Sequence, residues 1–370
     1  MAARCSVSTT GATATGSSSQ QTASLIATLV ATSSREDSVG PASSMSSSIS
    51  SSQNGRITGA VYPRSNAGRR ARRVTVLETK EQLIAAAAST GLALVADTAT
   101  LDTMGLDFVV VHARDEAGTR WIVRSPRRPD VVAAARREAR ILACVRTALP
   151  VAVPDWRVHT DELIAYPRLD GTPAITLDTG TPVWNIIDPA APSDAFLTAL
   201  GEALAALQSV DATGAAPSDA VDELRRKLGA TIEATRDALE PPASLVTRWQ
   251  RWLADDASWP AHVALAHGDL HPGHLLLHED GRIAGILDWT EARVTDPAVD
   301  FAMVHMCFGR AALDAVLRVF ADRGGKTWPR MAEHAVERSA IFPALGAEWS
   351  LRTGNPMALD FAKAQLAALA

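Results

Sequence analysis

Cysteine is scarce in this chain. Three residues in 370 (Cys5, Cys144 and Cys307), far apart, exclude a disulfide scaffold and a zinc ribbon. Long apolar runs are missing too. None approaches 18 residues, so no membrane-spanning helix and no membrane partner are expected. Lysine is absent from the first 75 residues, which hold 18 Ser, 9 Thr and 8 Arg against one Glu and one Asp, a net charge of +6. The whole chain is −5, so the remaining 295 residues carry −11. That body is too acidic for a nucleic-acid binder. With 47% hydrophobic and 21% charged residues, the whole chain has on average the makeup of a globular protein.

Residues 1–73 have few large apolar side chains and no lasting periodicity, which predicts a disordered, Ser/Arg-rich tail. The apolar patch from Ala23 to Ala31 resembles a signal-peptide core, but only Arg4 precedes it; a transit peptide also fits. An upstream extension of the reading frame, with translation beginning near Val74, accounts best for the break in composition. The body then divides in two. From 74 to 165 the pattern is a helix over 80–90, set by the capping-box spacing Thr79–Gln82, and strands over Leu92–Ala96, Phe108–Ala113 and Thr119–Arg124. A helix over Val131–Ala148 and strands over Val151–Val158 and Glu162–Tyr166 complete it. From 166 to 370 it is mainly helical, with Ser193 capping a helix whose Phe196, Leu200, Leu204 and Leu207 share a face. Helices follow over Val221–Leu239, Leu245–Leu253 and from Pro297 onward. A short β-like stretch, Val263–Leu287, interrupts them. The expectation is an α+β fold of two lobes, a β-rich one and a helical one, with a cleft between.

The densest polar segment in apolar surroundings is His267-Gly268-Asp269-Leu270-His271-Pro272-Gly273-His274. Apolar Leu275–Leu277, a turn at Glu279-Asp280-Gly281, apolar Ile283–Leu287 and then Asp288-Trp289 follow. A hairpin there returns the chain and brings Asp269, His274 and Asp288 together. Two carboxylates and an imidazole at a cleft mouth suit hydroxyl activation and metal binding. Four histidines (His267, His271, His274 and His278) leave a zinc site open, although no Cys accompanies them. His267 reads as a structural histidine that pins the loop, and Asp296 and Asp300 as helix caps.

His267-Gly268-Asp269 with His274 five residues beyond, then Ile286-Leu287-Asp288-Trp289, resembles the catalytic and metal-binding segments of the aminoglycoside phosphotransferases, which share the protein-kinase fold. The run H-G-D-L-x-x-G-H, with Asp288-Trp289-Thr290-Glu291-Ala292-Arg293-Val294, is similar in particular to the macrolide 2′-phosphotransferases. Five further stretches strengthen the likeness: Gly105–Phe108, Arg124–Arg128, Val153–Trp156, Glu162–Pro167 and Arg248–Trp252. The likeness begins near Val74 and leaves the tail unmatched.

The resemblance implies a protein-kinase-like fold and a role for each residue. Asp269 takes the position of the base that orients a substrate hydroxyl. Asp288 takes that of a Mg²⁺ ligand, and His274 stands where kinases place a metal-binding Asn. Imidazole is a poorer partner for Mg²⁺ than an amide oxygen. Arg124 stands where kinases place the phosphate-gripping Lys, and Glu138 where they place its partner. The phosphate loop falls at Thr98–Asp107 with Gly105 its only glycine, and no P-loop or G-x-G-x-x-G is present. The nucleotide base meets the segment Ala165-Tyr166-Pro167-Arg168. The donor implied is GTP, with ATP the second choice. The acceptor implied is the 2′-hydroxyl of a macrolide's amino sugar, and its modification inactivates the drug. A cytoplasmic monomer is expected. The rival readings are phosphorylation of another small alcohol, an aminoglycoside or a metabolite, and a non-catalytic kinase-like binding module. Gly268 and the closeness of Asp296 to Asp288 speak against a protein kinase.

Overall fold

A computed structural model describes residues 76–103, 107–178 and 181–369, apart from the side chains of Asp178 and Met357. The predicted tail and Gly105 therefore lie outside the described residues.

The N-terminal region is built as its sequence signals require. Thr79 Oγ1 accepts the Gln82 N–H at 3.3 Å, and the Gln82 side chain accepts the Thr79 N–H at 3.1 Å. This reciprocal cap starts α1 (Lys80–Ser89). Five strands follow: β1 (Leu94–Asp102), β2 (Phe108–Asp115), β3 (Arg120–Pro126), β4 (Val158–His159) and β5 (Ile164–Pro167). They form one antiparallel sheet in the order β1-β2-β3-β5-β4. Because strand side chains alternate, the sheet has two different faces. Val109, Val111, Val123 and Ala165 pack with Leu83 and Ala87 of α1. Ile122, Ile164 and Tyr166 pack with Ala135 of α2 (Pro129–Val145). Arg124, two residues from Ile122, shares that second face.

The expected strand over Val151–Val158 is mostly absent. Ala152 forms a single bridge to Gly285, and pairing resumes only at β4. Conversely, β1 runs to Asp102, six residues beyond its apolar start. Residues Thr98–Asp102 of the loop expected over Thr98–Asp107 are therefore strand.

The C-terminal region is mainly helical. Three short strands, β6 (Thr172–Pro173), β7 (Ile175–Asp178) and β8 (Thr181–Trp184), were not legible in the sequence. Then come α3 (Asp194–Gln208), capped by Ser193, α4 (Val221–Leu239) and α5 (Ala243–Ala254). Strand β9 (Ala264–Ala266) pairs with β12 (Arg293–Thr295), and β10 (Leu275–Leu277) and β11 (Ile283–Ile286) make the expected hairpin. The chain continues as α6 (Ala298–Asp322), kinked at Gly309, α7 (Met331–Ala340), α8 (Phe342–Thr353) and α9 (Pro356–Ala368).

Phe196, Leu200, Leu204 and Leu207 of α3 are all buried, in one cluster with Phe301, Val316 and Phe320 of α6. Each such side chain contributes about 1.5–3 kcal/mol on burial. Gly201 allows the close approach of these helices: a Cβ there would stand 2.7 Å from Val319 Cβ. This packing fixes the first turn of α6, where Asp300 lies, against the end of β9. Among the described residues no helix is long and apolar enough to cross a membrane.

Candidate active site

The loop after β9 is held in place by hydrogen bonds. Asp300, in the first turn of α6 and buried, accepts the backbone N–H of His267 at 2.8 Å and of Gly268 at 2.9 Å. Gly268 has φ +80°, and a Cβ there would lie 2.7 Å from the Glu291 carbonyl oxygen, so only glycine fits. His267 is fully buried. Its Nε2–H donates to the Leu287 carbonyl at 2.9 Å, and its Nδ1 accepts the Asp269 N–H at 3.3 Å. Burial pushes its pKa down to about 4, so the ring is a neutral pin between the loop and the end of the hairpin. This is the structural role its sequence context indicated.

The hairpin brings the three predicted side chains together. His274 Nδ1–H donates to the backbone carbonyl of Asp269 at 2.9 Å. Its other ring nitrogen, Nε2, lies 3.7 Å from Asp288 Oδ2, and Asp269 Oδ2 lies 3.8 Å from Nδ1. Asp288 has φ +56° and accepts the Thr290 N–H at 3.3 Å. Burial works to raise its carboxyl, but His274, Thr290 and Arg124 outweigh burial and hold it below the ordinary carboxylate value.

The donor set fits a divalent cation. A carboxylate oxygen and an imidazole lone pair 3.7 Å apart can both reach one ion, leaving its other positions to phosphate and water. Among the described residues, Asp269, His271 and His274 are the one group of three whose ligand atoms lie within 4.8 Å of one another. His271, however, accepts the Gly273 N–H on Nδ1 at 3.0 Å, and burial pushes its pKa down to about 2. Its other nitrogen therefore carries the proton, and it offers no third ligand for zinc.

Beside this cluster, Arg124 and Glu138 meet across the sheet and α2, with Nη2 and Oε1 3.6 Å apart. Glu138 is buried. Thr290 Oγ1 donates to Glu138 Oε2 at 3.3 Å, which joins α2 to the segment after Asp288. Burial raises the Glu138 carboxyl, with Arg124 opposing it. Tyr166, buried on β5, has its ring 5.4 Å from Arg124 Cζ, and burial pushes its phenol up. Ala165 lies deep in the sheet, its carbonyl already accepting the Arg157 N–H at 2.9 Å; the β4 ladder ends there and leaves the edge of β5 open beyond it.

Two roles escaped sequence reasoning. Asp300 serves the loop amides more than 30 positions away rather than its own helix. Asp296 accepts the Ala298 N–H at 3.0 Å as a cap should, but it also accepts His334 Nε2–H at 2.9 Å and lies 3.3 Å from Arg338 Nε. No local pattern announces partners that distant.

Residues 98–334 match the phosphotransferase enzyme family. The uncharacterized protein YcbJ of Bacillus subtilis strain 168 is 41% identical over 278 residues, 74% of this chain and 90% of that protein. The structure is similar to that of the macrolide 2′-phosphotransferase MphH from Brachybacterium faecium, an apoenzyme: TM-score 0.71, 38% identity, 77% of this chain and 97% of that one. A type I macrolide 2′-phosphotransferase gives a TM-score of 0.70 and 40% identity, covering 80% of this chain and 99% of its own.

Proposed function

The chain belongs to the phosphotransferase enzyme family, with a kinase-like fold, and from that premise we propose that it transfers the γ-phosphate of GTP to the 2′-hydroxyl of a macrolide's amino sugar, inactivating the drug. The observation that carries the reaction type is the gathering of Asp269, His274 and Asp288 at the hairpin, beside the Arg124–Glu138 pair.

Phosphoryl transfer asks a protein chiefly for positioning and charge neutralisation. Asp269 orients the acceptor hydroxyl and takes its proton as the oxygen bonds to the γ-phosphorus. The bond from that phosphorus to the β-bridging oxygen breaks, and nucleoside diphosphate leaves. Asp288 and His274 Nε2 would hold Mg²⁺, which would neutralise phosphate charge when bound. Arg124, backed by Glu138, grips the phosphates by its fork of donors. Ala165 and Tyr166 bring β5 to the nucleotide base, with contact along the open edge just past Ala165. We take lobes 74–165 and 166–370 to meet at this point. A monomer and a cytoplasmic location are part of the same reading.

Two features support a macrolide acceptor. One is the 38–40% identity to two macrolide 2′-phosphotransferases. The other is the β7–β8 ribbon and the residues just after it, where Leu177, Val183 and Ile186 are exposed. β7 packs against the Pro272–His274 turn, so this apolar surface stands beside the catalytic loop and suits a lactone ring. A donor and acceptor panel tests the proposal: erythromycin against kanamycin, GTP against ATP, each with Mg²⁺. Turnover of erythromycin with GTP is expected. Turnover of kanamycin alone would transfer the reading to an aminoglycoside kinase, and no turnover of either would favour a different alcohol.

A further inference from the structure

The guanidinium of Arg124 is enclosed by three aromatic rings. Its Cζ lies 4.5 Å from the centroid of Phe108, 5.1 Å from Trp156 and 5.4 Å from Tyr166. These rings come from the start of β2, the segment before β4, and β5. That middle segment is fixed by Asp155, which pairs with Arg146 at 3.0 Å and with Arg157 at 2.7 Å. Three buried donors here, Arg124 Nε, Arg124 Nη2 and Trp156 Nε1, have no hydrogen-bond partner among the described residues, and neither has the acceptor Glu138 Oε1.

A guanidinium is planar and weakly hydrated on its faces, so rings can cover those faces while its N–H edge stays available. An ammonium has no such faces and would keep its water. The rings thus give a physical reason for arginine where kinases use lysine. We propose that Trp156 is a positioning residue for phosphoryl transfer: with Phe108 and Tyr166 it holds Arg124 by its faces, with Nη2 toward Glu138, so that the part of the side chain left open, 14% of its surface, meets the nucleotide phosphates. This rests on the reading of Arg124 as a phosphate ligand.

The test is a double-mutant cycle on GTP affinity, measured calorimetrically with Mg²⁺ and no acceptor, alongside thermal unfolding of the same proteins. Arg124→Lys should weaken GTP binding about tenfold in the otherwise wild-type chain. In a Trp156→Leu background the same change should cost less than about threefold, because the faces are no longer covered. Trp156→Phe, which keeps a ring and loses the indole N–H, should bind GTP within about twofold of wild type. In turnover, Trp156→Leu should raise KM for the nucleotide and leave KM for the acceptor unchanged. Should Trp156→Leu fail to fold, Phe108→Leu carries the same cycle.

An equal cost of Arg124→Lys in both backgrounds overturns the proposal, as does a Trp156→Phe variant as impaired as Trp156→Leu. A failure of the underlying reading looks different. Arg124→Ala would then leave GTP affinity unchanged, while coupling between the ring and the guanidinium persisted in the unfolding cycle; the rings would be structural and the positioning role would fall with that reading.

Discussion

The catalytic-loop cluster and the Arg124–Glu138 cluster adjoin each other but are built in opposite ways. At the loop, the groups that set its geometry have protein partners: Asp300 takes the amides of His267 and Gly268, His267 bridges to Leu287, and His274 donates to the Asp269 carbonyl. At Arg124, the ion pair 3.6 Å apart sits among three aromatic rings, with donors and an acceptor that lack a hydrogen-bond partner among the described residues. Buried polar atoms rarely stay unpaired unless a ligand or water completes them. The contrast separates two tasks. On the proposed function, the loop cluster is preorganised for chemistry, whereas the arginine cluster takes its remaining partners from the nucleotide.

That contrast can be broken from the loop side first. Asp269→Ala should reduce transfer at least a hundredfold while nucleotide binding and the melting temperature persist; turnover above about 1% of wild type would remove Asp269 from the role of base. Asp288→Asn should cost about a hundredfold and also abolish Mn²⁺ binding seen by electron paramagnetic resonance, and a variant that still binds the ion tightly would contradict the ligand assignment.

Asp300→Asn leaves one of two loop amides poorly served, so kcat should fall about tenfold and stability by about 1–3 kcal/mol. Its pH dependence is a sharper check. Burial raises the Asp300 carboxyl from 3.8 to about 6. The folded state therefore holds its proton more tightly than the unfolded chain does. This contribution, on the order of 2–3 kcal/mol, is full below pH about 4 and is lost as pH rises through about 6. Asp300→Asn should lack that slope in a series of unfolding curves, and an identical slope in both proteins would refute it. On the arginine side the effect is smaller: Glu138→Gln should weaken nucleotide affinity about tenfold with little change in kcat for bound substrate, and a loss confined to kcat would place Glu138 elsewhere.

The loop cluster was legible in the sequence for a local reason. Asp269, His274 and Asp288 fall within 20 residues, and Leu275–Leu277, the turn at 279–281 and Ile283–Leu287 spell a hairpin that must close them together. The capping box at Thr79 and the apolar face of α3 were local in the same sense. The Arg124 box was not. Phe108, Trp156 and Tyr166 meet only through the β2-β3-β5 register and an irregular segment within the stretch expected as a strand over Val151–Val158. Asp300 was misjudged likewise, because its partners lie across the fold. The β7–β8 strands are only four residues each, and Pro182 interrupts the second, so no strand pattern stands out in their sequence.

The most direct test of the account is the structure of the product. Erythromycin incubated with the protein, GTP and Mg²⁺ can be analysed by phosphorus–proton correlation NMR. A phosphate ester on the 2′-oxygen of the amino sugar, formed by wild type and not by Asp269→Ala, is the predicted result. A phosphate on another hydroxyl, or the same product in equal yield from Asp269→Ala, would contradict it.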